Sequence, residues 1–182
     1  MRVVSGKAKG VVLKTPTGML TRPTADRVKE AMFSIVQFDV PGAAVLDLFG
    51  GTGQLGIEAL SRGASGAVFV DAREDACRLI KENLKRVGFD KEATVVRSDY
   101  LAYLKRCTAK FDIILLDPPY AEEFLENSLK MIAEIDILKT SGIIIAERSV
   151  DKATLPELSG FERSKDYKYG TTFVTIFRKI AE

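Results

Sequence analysis

From residue 41 onward, short unbroken apolar runs alternate with stretches in which apolar residues recur every three or four positions. The runs over 45–49, 67–70, 94–97, 111–116 and 142–147 predict strands buried on both faces. The periodic stretches over 54–62, 75–87, 101–107 and 122–138 predict amphipathic helices. Strand and helix in regular alternation specify a doubly wound, mainly parallel sheet covered on both sides. The tail departs from this rhythm: 161–169 and 172–178 flank Gly170 with no helix between them, which predicts an antiparallel hairpin. Ahead of the alternation, 2–14 reads as two short strands around a glycine-rich turn. Thr24 then reads as the N-cap of a helix with Val28, Met32, Ile35 and Val36 on one face, closed by Pro41-Gly42. One α/β domain over 1–182 is expected, with 1–40 as a hairpin-and-helix extension and 41–182 as the core. Sheets of this kind bind ligands beyond the carboxyl ends of their strands.

The first such end carries Asp47-Leu48-Phe49-Gly50-Gly51-Thr52-Gly53-Gln54-Leu55-Gly56, a glycine turn between strand and helix. Glycines permit the tight turn and close approach of a ligand, and the helix start offers free amides. Asp71 closes the next strand, 20 residues after Gly51, where a carboxylate can accept both hydroxyl protons of a ribose. Asp99 follows the third strand and is placed to meet an adenine amino group. A pyrophosphate would find Asp47 unwelcome so close to the turn, whereas a cation would not. Three carboxylates at successive strand ends therefore favour S-adenosylmethionine (SAM) over a nicotinamide dinucleotide. The expected cofactor residues are Asp47, Phe49, Gly51, Gly53, Asp71 and Asp99.

Asp117-Pro118-Pro119-Tyr120 follows the strand at 111–116. Prolines end the strand and offer acceptors only, since neither has an amide proton. The Asp117 carboxylate and the Pro118 carbonyl can hold both protons of a planar amine while Tyr120 stacks on its ring. Two in-plane acceptors favour the pyramidal amine and free its lone pair for attack on a methyl carbon, an effect of orientation and prearranged polarity. Asp117, Pro118, Pro119 and Tyr120 are the candidate catalytic residues.

Composition narrows the chemistry. There is no histidine, which excludes triads and histidine-based metal sites, and two isolated cysteines, Cys77 and Cys107, cannot build a zinc site. Both read as structural thiols, and no metal is expected. No apolar run approaches the length of a membrane span, and 1–7 offers no secretion signal, so a cytoplasmic protein is expected. The net charge of +2 is unevenly spread: residues 1–30 hold seven basic and two acidic side chains, so that the rest of the chain is net acidic. A basic segment on an acidic body suggests a polyanion contact through Lys7, Lys9, Lys14, Arg22 and Arg27; a merely solvated hairpin is the alternative.

The tetrapeptide, together with Asp47-x-Phe49-x-Gly51-x-Gly53, resembles the SAM-dependent amino-methyltransferases. Further stretches resemble, more narrowly, the RsmD-type 16S rRNA guanine-N2 methyltransferases: Gly6-Lys7-x-Lys9-Gly10, Leu13-Lys14-Thr15-Pro16, the run from Thr21 to Phe33, and the run from Leu55 to Ala64. The resemblance spans almost the whole chain. It implies a Rossmann-like class I methyltransferase fold and a 16S rRNA partner within assembling or assembled small subunits. Under the resemblance the polyanion contact of Lys7, Lys9, Lys14, Arg22 and Arg27 becomes an RNA-phosphate contact. It also implies that Asp117, Pro118 and Tyr120 hold the guanine, Asp71 the ribose, Asp99 the adenine, and Asp47 with the glycine turn the methionine portion. Gly50 and Gln54 depart from the small alanine or serine common there. A monomer is expected. A DNA adenine or protein amide methylase, a non-catalytic assembly factor and, more distantly, a nicotinamide oxidoreductase stay open.

Overall fold

The computed structural model describes residues 1–16, 23–119, 122–151 and 155–180. Its centre is an alternation of β1 (Ala44–Asp47), α2 (Gln54–Ser61), β2 (Gly66–Asp71), α3 (Glu74–Val87), β3 (Ala93–Arg97), α4 (Tyr100–Leu104), β4 (Phe111–Leu116), α5 (Glu122–Glu134) and β5 (Leu138–Ser149), preceded by α1 (Pro23–Ile35). Strands β6 (Phe161–Arg163), β7 (Tyr167–Tyr169) and β8 (Thr172–Lys179) complete one sheet of order β3-β2-β1-β4-β5-β8-β6, with β7 also on β8. β1 to β5 pair in parallel; β8 runs antiparallel to β5, β6 and β7. The chain leaves β1 toward β2 and β3, then returns to lay β4 on β1's other side. That reversal opens a crevice between the carboxyl ends of β1 and β4.

Strand residues feed two cores by strict alternation. Val45, Phe69, Ile113, Leu115, Ile143 and Ile145 pack on one face, and Leu46, Val70, Ile114, Leu116, Ile144 and Ala146 on the other. Burial on both faces is why these strands are continuous apolar runs in sequence. The first core also takes in Val3, Ala8 and Leu13 from the amino-terminal segment and Val28, Met32 and Phe33 from α1.

Several expectations need correction. Residues 2–14 form turns joined by a single antiparallel bridge, Arg2 to Val12, and no strands. Val3 and Leu13 donate across that bridge, to Val11 O and Met1 O, but other amides turn to α2: Val4 and Ser5 donate to the Glu58 carboxylate at 2.8 and 3.0 Å, and Ala8 to Ser61 Oγ at 3.0 Å. Helix α1 starts at Pro23, so Thr24 lies within its first turn. Helix α5 ends at Glu134, short of 138, because Asp136 adopts a φ of 47° and Leu138 already belongs to β5. The expected strand at 161–169 is interrupted and forms β6 and β7.

Candidate active site

The glycine turn is held by its own acids. Gly53 caps α2 in the left-handed conformation, with a φ of 81°, which glycine adopts without strain. Asp47 is almost fully buried, and its Oδ2 accepts from the Gly56 amide at 3.0 Å. Burial pushes its carboxyl up to about 7, and the nearby charges of Asp117 and Asp71 push the same way. Asp71 ends β2; its Oδ2 accepts from Gly51 N and its Oδ1 from Arg73 N, both at 2.9 Å. A carboxylate oxygen has two acceptor directions, so each retains one for a ligand hydroxyl. Asp99 is exposed and caps α4 by accepting from Ala102 N at 3.0 Å through Oδ1. Phe49 packs into an aromatic cluster, 5.3 Å from Tyr100 and 6.2 Å from Phe124. Gln54 Oε1 is a buried acceptor with no partner among the described residues.

Asp117 follows β4 directly, across the crevice from Asp47, and is partly buried, with Pro118 beside it and Pro119 exposed. Burial pushes its carboxyl up to about 6. Tyr120, the fourth member of the tetrapeptide, lies outside the described residues.

One carboxyl that the sequence reading missed joins this row. Glu147 lies on β5, whose register pairs Leu116 of β4 with Ala146, so Glu147 is the strand neighbour of Asp117. Burial, and then the Asp117 charge, raise its carboxyl to about 8. Its signal was available: like Asp47, Asp71 and Asp117, it is an acid that closes an apolar strand run.

The basic candidates divide. Lys7, Lys9 and Arg27 are exposed. Lys14 is exposed too but pairs with Glu82 at 2.8 Å. Arg22 lies outside the described residues. Lys29, one of the seven bases counted in the amino-terminal segment, is buried, with its ammonium 3.5 Å from Glu58, and adds nothing to a surface patch. Burial lowers the Lys29 pKa against the pull of Glu58 and Asp26. Cys77 is a buried thiol on α3 whose pKa burial raises, the condition of an unreactive cysteine. Among the described residues no group of potential ligands is placed to hold a metal ion, and no helix is long and apolar enough to cross a membrane.

A family model described as "Conserved hypothetical protein 95" matches residues 1–178. The chain is 43% identical to the "Putative rRNA methyltransferase YlbH" of Bacillus subtilis, over 98% of this chain and 99% of that one. It is 32% identical to the "Ribosomal RNA small subunit methyltransferase D" of Haemophilus influenzae, over 84% of this chain and 80% of the relative. A solved structure from Escherichia coli, "Putative methyltransferase yhhF", superposes with a TM-score of 0.88 at 26% identity, covering 100% and 99% of the two chains.

Proposed function

The chain belongs to the Conserved hypothetical protein 95 family, and from that premise and the geometry of the site we propose that it methylates the exocyclic N2 amine of a guanine in 16S rRNA. The observation that carries the reading is the pairing, across one crevice, of a glycine turn strapped by Asp47 and Asp71 with Asp117-Pro118 at the adjoining strand end. SAM supplies an electrophilic methyl group on a positively charged sulfur. The residues fit it: carboxyls line the crevice, Asp71 keeps acceptor capacity for ribose hydroxyls, Asp99 Oδ2 faces no partner among the described residues, and Gln54 Oε1 awaits a donor.

On this reading Asp117 and the Pro118 carbonyl accept the two amine protons and hold the nitrogen lone pair toward the methyl carbon. Pro119 stiffens the corner, and Tyr120 supplies the face on which the base stacks. The proton released from the methylated amine passes to Asp117 and on to water. Lys7, Lys9 and Arg27, with Arg22 and the less available Lys14, meet RNA phosphates. Residues 1–40 thus form the RNA-facing extension of a 41–182 core, acting as a cytoplasmic monomer on the small subunit.

The test is transfer of labelled methyl from SAM to undermethylated small subunits and to free 16S rRNA, followed by nucleoside mass analysis. N2-methylguanosine is expected, and Asp117→Ala should abolish it, by about 10²-fold or more, while SAM affinity is kept. Label on an adenine N6, or on protein, would overturn the substrate assignment.

A further inference from the structure

Glu147 has no part in the chemistry described so far, yet it is built into the same row of strand ends. Within β5 it continues the face of Ile143 and Ile145, and the β4–β5 register sets it beside Asp117 on the adjacent parallel strand. Parallel neighbours lie about 4.8 Å apart, within reach of a carboxyl–carboxyl hydrogen bond. Among the described residues no cation compensates it. From β8 its register partner is the buried Val174, and the next position along, on β7, is Tyr167, whose ring carries Lys165 at 5.4 Å. Arg148, the next residue on β5, is taken by Asp166 at 2.6 Å and lies over the Phe173 ring at 4.6 Å. From β4 the charge is Asp117, and beyond it on β1 lies Asp47, itself buried.

Two partly buried carboxyls on neighbouring strand positions do not readily ionise together; one keeps its proton. We propose that Glu147 is a positioning residue that, as the neutral acid, donates its O–H to the Asp117 carboxylate and fixes that carboxylate in the orientation that accepts the target amine. The inference rests on the methyltransferase reading of the site. Its chemistry balances simply: the amine nitrogen bonds the methyl carbon as the carbon–sulfur bond breaks, and the nitrogen then gives one proton to Asp117, which releases it to water. Glu147 keeps its own proton throughout. The order of ionisation agrees, with Asp117 titrating near 6 and Glu147 near 8 under the influence of the Asp117 charge.

The experiment is a pH profile of single-turnover methyl transfer to undermethylated small subunits. For the unaltered protein the rate should rise near pH 6 and fall near pH 8, as first Asp117 and then Glu147 ionises. Glu147→Gln keeps a donor of the same shape that cannot ionise; it should keep most of the neutral-pH rate and lose the alkaline fall. Glu147→Ala removes the donor and should slow transfer by roughly 10–10²-fold with the KM for SAM unchanged. An alkaline fall that persists in Glu147→Gln, or a full rate in Glu147→Ala, overturns the proposal. Asp117→Asn separates the two failures: if it is inactive while the Glu147 variants behave as the unaltered protein, only this inference falls. If it is fully active, the reading of the site falls as well. Independently of any substrate, carboxyl-carbon NMR should show Glu147 titrating near 8 and moving down in Asp117→Asn; an unmoved Glu147 overturns the coupling.

Discussion

A buried side-chain oxygen without a partner is uncommon in a folded protein, and among the described residues Gln54 Oε1 has none, at the start of α2 beside the glycine turn. A ligand amine or hydroxyl would satisfy it. Gln54→Leu keeps the bulk and removes the acceptor, so SAM binding should weaken by about tenfold, the worth of a hydrogen bond to a charged donor. Calorimetry on the variant measures this, with little change expected in thermal stability without SAM. Asp47 illustrates a different division of labour. Its carboxyl is tied to Gly56 N and so shapes the turn from below, while under the proposed function the more exposed Asp71 is the one that would meet the ribose hydroxyls.

At the scale of elements, Glu58 is the post to which the amino-terminal segment is fastened. It is fully buried on α2 and gathers Val4 N, Ser5 N, Arg62 Nε at 2.8 Å and the Lys29 ammonium. Glu58→Ala would strand a buried cation and two amides, a loss of about 3–5 kcal/mol that denaturant unfolding would register. Nothing in the sequence marks this post, because Glu58 occupies an ordinary helical position and the amides it holds lie more than fifty residues away. The same hydrogen bonds explain why 2–14 misleads: Val3 N does pair with Val11 O and Leu13 N with Met1 O, but Val4, Ser5 and Ala8 give their amides to α2, so the pairing stops at one bridge. The core strands were legible for the opposite reason. Phe111–Leu116 is bounded by Lys110 and by Asp117-Pro118, and its alternate residues fill two cores, so the run could only be a buried strand. The site's glycine turn and tetrapeptide were legible too, being local in sequence. Glu147 was legible only in part: its place at the end of an apolar run is local, but its pairing with Asp117 comes from the β4–β5 register.

Over the whole molecule, the carboxyls with raised pKa outweigh the others near neutrality. Asp47, Asp117 and Glu147 bind protons more tightly folded than unfolded, at about 7, 6 and 8 against ordinary values near 4. The stability that comes with their protonation is present below pH ~4 and is lost as pH rises through 6 to 8. Asp112 and Asp166, held low by Lys139 and by Thr175 with Arg163, act in the other sense and lose their contribution as acid protonates them. The free protein should therefore melt highest in mildly acidic buffer. A cationic ligand favours the ionised form of Asp47 beside the glycine turn, so the rise in melting temperature with SAM should be larger at pH 8 than at pH 5.5, by scanning fluorimetry at both.

The surface charge has its own readout. Neutralising Lys7, Lys9 and Arg27 together should flatten the salt dependence of RNA binding by about three powers of salt, roughly one for each phosphate that these side chains would neutralise. Filter binding across a salt series measures it, and Lys14, held by Glu82, should contribute less.

The first residue and the end of β8 lie on opposite rims of the sheet. Met1 sits against the glycine turn, its sulfur accepting from Thr52 Oγ1 and its carbonyl from Leu13 N, while Asn83 ties Lys14 to the Thr52 carbonyl. β8 runs antiparallel to the strands that bear the carboxyls and finishes beside the start of the Ile143–Ile145 run. A tag or fluorescent fusion joined ahead of Met1 would emerge beside the glycine turn, at the mouth of the crevice that the proposed function gives to the nucleic acid. One joined beyond β8 leaves from the far side, which makes that the end to use for labelling or immobilising this protein.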